Sequence, residues 1–187
     1  MFMGNISLIA VIVLAVVVLG WLVSAYNRGI TLKNYKNEAF STMDVYLKKR
    51  WDLIPNLLEI TKGYAEHEKG VFENVTKLRN MNYTAMSDDD KLDINNQLSL
   101  GLSKLIAVAE NYPELKANEN FMQLSQELTA IEGEIASSRK YYNGCVRELN
   151  NFLEYFPTNI IGAIFRFEKG KFFEIDESQR ENVQVKF

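Results

Sequence analysis

Glu66, His67 and Glu68 stand in a row, and His67 is the sole histidine of the 187-residue chain. An imidazole between carboxylates offers metal ligation or general acid–base chemistry. Neighbours on a helix do not share a face, so these three side chains would point three ways and could not close on one ion. A bundle metal site draws Glu-x-x-His pairs from two facing helices, which one histidine cannot supply within a chain. Cys145 is the single cysteine, so neither a disulfide framework nor a thiolate zinc site assembles within one chain. P-loop, dinucleotide-binding glycine, nucleophile-elbow and HExxH patterns are missing from the sequence. No catalytic, cofactor-binding or metal-binding residue is assigned, and no cofactor is expected.

Other polar residues near apolar stripes point to structure instead. Arg50, Glu68, Arg79, Glu110, Glu132 and Arg139 balance in sign, and Asn143 also lies close to a stripe. A buried charge needs a partner, and a polar layer fixes the register of otherwise slippery apolar helices. These seven residues are the candidate buried polar network.

The elements that would hold them are helices. Apolar residues beyond Ala25 recur at helical spacing almost throughout. A first segment reaches about Trp51, with Tyr26, Ile30, Phe40, Met43 and Leu47 on one side and a loosening expected near Gly29. Asp52 as a cap and Pro55 in a first turn predict a corner and a second helix, carried by Leu57, Leu58, Thr61, Tyr64, Val71, Phe72, Val75 and Leu78. Ser87-Asp88-Asp89-Asp90 predicts the cap and acidic first turn of a third, which ends at Tyr112-Pro113. The fourth runs from about Glu119 to Tyr155, roughly 55 Å, and stops at Pro157. Ile160, Ile161, Ile164 and Phe165 suit a short amphipathic helix. Lys171–Ile175 and Val183–Phe187 read as extended.

Such stripes can be buried only against one another. The predicted fold is all-α: an elongated up-and-down antiparallel bundle of about four long helices, with a short extended C-terminal tail. The expected divisions are a short N-terminus (1–5), a transmembrane helix (6–26), a bundle domain (27–156), and a short helix with the tail (157–187). Asp52, Pro55, Pro113 and Pro157 mark the expected helix corners.

Ile6 to Ala25 contains no charged side chain. As a helix its length matches the hydrocarbon core of a bilayer, roughly 30 Å. Val23-Ser24-Ala25 resembles a signal-peptide cleavage site, but no basic residue precedes the run and the run is long for a signal sequence. An uncleaved anchor is therefore expected, continuous with or adjoining the first bundle helix. Arg28, Lys33 and Lys36 follow it, while Met1 to Asn5 carry no Lys or Arg. The positive-inside bias then places the short N-terminus outside and the helical domain in the cytoplasm. A net charge of −3 gives no basis for nucleic-acid binding.

The chain also resembles the LemA family of bacterial membrane-anchored helical proteins. The resemblance is carried by Arg50, Asp52-Leu53-Ile54-Pro55-Asn56-Leu57, Gly63-Tyr64-Ala65 and His67-Glu68. It continues through Glu110-x-Tyr112-Pro113, Arg139-x-Tyr141-Tyr142-Asn143, Asn150, Phe156-Pro157, Phe172-Phe173-Glu174 and Val185-Lys186-Phe187. Trp51 departs from it, standing where a small or polar residue is commoner. The resemblance implies an inner-membrane, single-pass protein with a helical bundle and roles in membrane organisation or protein assembly. It supplies no catalytic residues. Three functions are compatible with these features: a scaffold or adaptor binding protein partners, a metal- or ligand-dependent sensor or enzyme using His67 and nearby carboxylates, and a homo-oligomeric envelope or lattice protein.

Overall fold

A computed structural model of the protein describes residues 2–64, 69–109 and 111–174. Six α-helices lie within them: α1 (Phe2–Thr61), α2 (Lys69–Arg79), α3 (Asp88–Ala109), α4 (Pro113–Lys116), α5 (Glu119–Glu154) and α6 (Thr158–Ile164). Single 3₁₀ turns occupy Lys62–Tyr64 and Tyr83–Ala85. The described residues contain no strand, so the class is all-α as the spacing predicts. Glu66, His67, Glu68 and Glu110, and the expected strand at Val183–Phe187, lie outside the described residues.

The expected corner at Asp52 and Pro55 is not there. α1 continues to Thr61 with Pro55 inside it. An interior proline removes one helix hydrogen bond and crowds the carbonyl four residues back, a cost of about 3 kcal/mol. Trp51, Ile54 and Leu57 around it are all buried. Their packing outweighs that local cost. Asp52 is exposed and pairs with Lys48 one turn earlier instead of capping a helix. The chain leaves α1 only at Lys62, so the predicted second helix is divided between the end of α1 and α2. The other ends fall where local chemistry puts them. Ser87 Oγ accepts the Asp90 N–H at 3.2 Å and donates to the Asp90 carboxylate at 2.6 Å, capping α3. Asn118 Oδ1 accepts the Phe121 N–H at 3.1 Å and caps α5.

The helices fall into two compact units, Met1–Ala39 with Tyr142–Phe172, and Phe40–Tyr141 with Phe173–Phe187. In the first, Ala25 and Leu32 of α1 pack with Leu149 and Phe152 of α5 and Ile161 of α6. α1 is unbroken at Gly29, contrary to the loosening expected there. A Cβ at Gly29 would lie 3.0 Å from ring carbons of both Phe152 and Phe167. The glycine thus admits two aromatic rings against the helix backbone. Beyond α6 the chain returns along α5 without forming a strand. Asn150 holds it by both ends of its amide. Nδ2 donates to the Gly170 carbonyl at 3.0 Å, and Oδ1 accepts the Gly170 N–H at 2.8 Å. The Tyr142 hydroxyl donates to the Lys171 carbonyl at 2.9 Å. Asn150→Ala should strand the Gly170 N–H and carbonyl, at about 1–3 kcal/mol for the local contact. Amide hydrogen exchange should then accelerate about five- to hundredfold across 167–172, with α1 and α5 unchanged.

In the second unit, the part of α1 from Phe40 to Thr61 meets α3 and α5. Asp44 meets Lys91 near the start of α3, and Arg50 meets Asn95 and Ser99 further along it. α1 and α3 therefore run in the same direction. Gly101 of α3 lies so near α2 that a Cβ would sit 2.8 Å from Val75 Cγ2.

Candidate functional site

The second unit's apolar interior contains a polar cluster centred on Arg50. Phe40, Met43, Leu47, Ile54 and Leu57 form the buried stripe of α1 in this unit. Arg50 lies on that stripe, three residues after Leu47 and four before Ile54, and is 0% exposed. Nη1 donates to Ser99 Oγ at 2.6 Å and to Glu132 Oε1 at 2.5 Å. Nη2 donates to the Asn95 carbonyl at 3.0 Å and to Asn95 Oδ1 at 2.7 Å. Asn95 is itself buried and donates from Nδ2 to the Lys91 carbonyl at 2.8 Å. One guanidinium thereby ties α1 to α3 and α5. Glu132 stays 42% exposed, so the outer half of the ion pair is wet and its Coulomb attraction is screened.

Arg139 lies two turns along α5 from Glu132. Its guanidinium sits 4.2 Å from the centre of the buried Phe173 ring. Burial first, and the charge of Arg50 second, hold its pKa below the ordinary guanidinium value, with Glu132 acting the other way. Arg50 Nε and Arg139 Nε are buried without a hydrogen-bond partner among the described residues.

A second cluster lies nearer the start of α3. Asp44 of α1 accepts the Tyr83 hydroxyl at 2.7 Å on one oxygen and Lys91 Nζ at 2.7 Å on the other. Lys91 is 13% exposed and sits over the Tyr83 ring at 5.1 Å and the Phe40 ring at 5.8 Å. Trp51 packs on Tyr83 with ring centres 5.0 Å apart. Burial first, then the hydrogen bond to Asp44 and its charge, push the Tyr83 phenol above its ordinary pKa. It stays protonated at neutral pH and offers no base.

The structure joins Arg50 to Glu132 and brings Arg139 into their field. It leaves out Arg79, which is exposed in the last turn of α2. There its charge faces the negative end of the helix dipole and water, a cheaper place than an apolar interior. Asn143 is half-buried on α5 in the first unit. Pro113 opens α4, and Pro157 precedes α6. Asp44, Tyr83, Lys91, Asn95 and Ser99 escaped the sequence reading. Their signal is a polar residue on an apolar stripe: Asn95 falls three residues from both Leu92 and Leu98, and Asp44 falls four after Phe40 and three before Leu47.

Four N–H groups of Arg50 already have protein acceptors, leaving only Nε of its five donors. The cluster is not arranged to receive an anion. It ties helices together. The family model for the LemA family matches residues 39–187. The chain belongs to the LemA family. Similar curated proteins include the magnetosome protein MamQ 2 of Paramagnetospirillum magneticum, 24% identical over 195 residues that cover 90% of this chain and 72% of the relative. The protein LemA of Metamycoplasma hominis is 22% identical over 154 residues, covering 82% of this chain and 70% of the relative. The LemA match takes in Arg50, Asn95, Glu132 and Arg139, and thus the whole polar tie.

α1 also contains a stretch long and apolar enough to cross a membrane. Leu8 to Gly20 are exposed along it. A helix so apolar and so uncovered matches a membrane-associated LemA-family protein.

Proposed function

We propose that this LemA-family chain is a membrane-anchored helical scaffold or adaptor that serves protein–protein interaction or membrane organisation. The observation that carries this reading is the use of the polar interior. Four of the five donors of Arg50 and both oxygens of Asp44 are spent on tying α1 to its neighbours, and the bare apolar stretch of α1 supplies an anchor. The relatives named as magnetosome proteins fit a role at a membrane-associated assembly. Photo-crosslinking from exposed positions of α5 in intact membranes should capture the same protein partner repeatedly. Capture of lipid alone would count against an adaptor. Stoichiometric metal in the purified protein, lost in His67→Ala, would instead support the sensor or enzyme reading.

The basic residues Arg28, Lys33 and Lys36 just beyond the span support a cytoplasmic helical domain in the bacterial inner membrane. Cys145, half-buried on α5, reports on this. An impermeant thiol reagent should leave it unlabelled in cells with a permeabilised outer layer and label it after lysis. Labelling before lysis would reverse the orientation.

A further inference from the structure

The first unit exposes an apolar patch that its own core does not need. Phe156 is 80% exposed and Tyr155, Ile164 and Phe165 are more than half exposed, with Ile160 close behind. Ile160 and Ile164 stand one turn apart on α6 and share a side, and Phe156 lies in the turn that enters the helix. Ile161, about 100° around the helix from Ile160, is fully buried in the core. α6 therefore has one apolar face packed and a second left bare.

The position of this bare face is fixed by its neighbours on α1. Leu22 and Tyr26 pack against the core cluster that contains Ile161. The Tyr26 ring lies 4.5 Å from the Phe165 ring. Leu22 and Tyr26 belong to the last turn of the uncharged run and the residue just after it. A span of this length puts that turn at the boundary of the hydrocarbon core. The patch is thus held beside the point where α1 would leave the bilayer. Arg28 follows Tyr26 by two residues and Arg166 follows Phe165 directly, both exposed. Aromatic and aliphatic side chains bordered by arginines suit the interface between acyl chains and headgroups.

We infer that α6 and its flanking turns form an interfacial membrane foot, with Phe156, Ile160, Ile164 and Phe165 inserted into the same leaflet that α1 leaves. The inference rests on α1 spanning the membrane. The foot gives the first unit a second point of attachment, so that the unit stands on the bilayer at two places.

The test uses the full chain in nanodiscs of phosphatidylcholine and phosphatidylglycerol, in a Cys145→Ser background. A nitroxide is attached singly through Phe156→Cys, Ile160→Cys or Ile164→Cys. Leu14→Cys provides the control for the span, and Glu168→Cys the control for water. Collision rates are measured with oxygen, which concentrates in lipid, and with a neutral nickel chelate, which stays in water. The three foot positions should show an oxygen-to-nickel ratio several-fold above that at Glu168 and approaching that at Leu14. A ratio equal to that at Glu168, with Leu14 still oxygen-rich, overturns the foot and leaves the span standing. A nickel-accessible Leu14 overturns the span and the foot together. Poor access to both reagents, with spin–spin broadening relieved by unlabelled chain, assigns the patch to a second copy and overturns the foot.

Discussion

Arg50→Ala should be the most damaging single substitution in the second unit, lowering its stability by about 3–5 kcal/mol. It removes four hydrogen bonds, frees the buried Asn95 of its partner and empties a fully buried volume. Arg50→Lys should recover little, because an ammonium cannot serve acceptors on α3 and α5 in the planar geometry of a guanidinium. Glu132→Gln should cost less, about 1–2 kcal/mol, since the carboxylate is wet while the amide oxygen can still accept from Arg50. Arg139→Met should cost about 1 kcal/mol or less: it forfeits the contact with Phe173 but also removes a charge that burial and Arg50 both oppose. Trp51, buried against Tyr83, reports the unfolding directly by fluorescence in a Trp21→Phe background. Urea midpoints of the full chain in detergent should follow this order. An Arg50→Ala midpoint no lower than that of Arg139→Met would show that the cluster does not hold the helices.

What the sequence disclosed depended on how local the deciding force was. Ser87, Pro113 and Pro157 mark helix boundaries through their own hydroxyl or missing N–H, and the boundaries lie there. Pro55 carries an equally strong local signal, yet the buried packing of Trp51, Ile54 and Leu57 overrules it. Gly29 reads as a weak point in a helix, but what it meets is a pair of rings from residues more than a hundred positions away. No periodicity within α1 could announce those. The polar network divides in the same way. Arg50 is legible because it interrupts an apolar stripe. Asn95 and Ser99 are not legible as its partners, because the relative register of α1 and α3 is set by packing between helices. Arg79 has the right sign but falls on the water side of α2. Asp44 and Asn95 were open to discovery by the same rule that finds Arg50, a polar side chain where the stripe calls for an apolar one.

Asp44→Ala should be nearly as costly, at about 3 kcal/mol, because it strands two donors at once. Lys91 is 13% exposed and would lose its carboxylate partner, and the Tyr83 hydroxyl would lose its acceptor. Asp44 itself is 27% exposed, so water can reach part of the vacated space and the cost stays below that of Arg50→Ala. Asp44→Asn should lie between, since its amide oxygen can still accept from Tyr83 or Lys91 but brings no charge. The same cluster predicts a pH dependence. Tyr83 has its folded pKa raised above the ordinary value of 10.0, by burial first and by Asp44 next. Above pH 10.0 the unfolded chain therefore releases this proton before the folded one does. The unfolded state then binds fewer protons, and stability falls as pH rises. Below that pH the phenol is protonated in both states and contributes no slope. The alkaline loss should approach about 1.4 kcal/mol per pH unit from this one group, and Tyr83→Phe should flatten it while lowering neutral-pH stability by about 1 kcal/mol for the lost hydrogen bond. Urea midpoints of wild type and Tyr83→Phe between pH 8 and about 11 separate the two effects. Parallel curves across that range would mean that Tyr83 ionises as freely in the folded chain as in the unfolded one, and the tie between Asp44, Tyr83 and Lys91 would be lost with it.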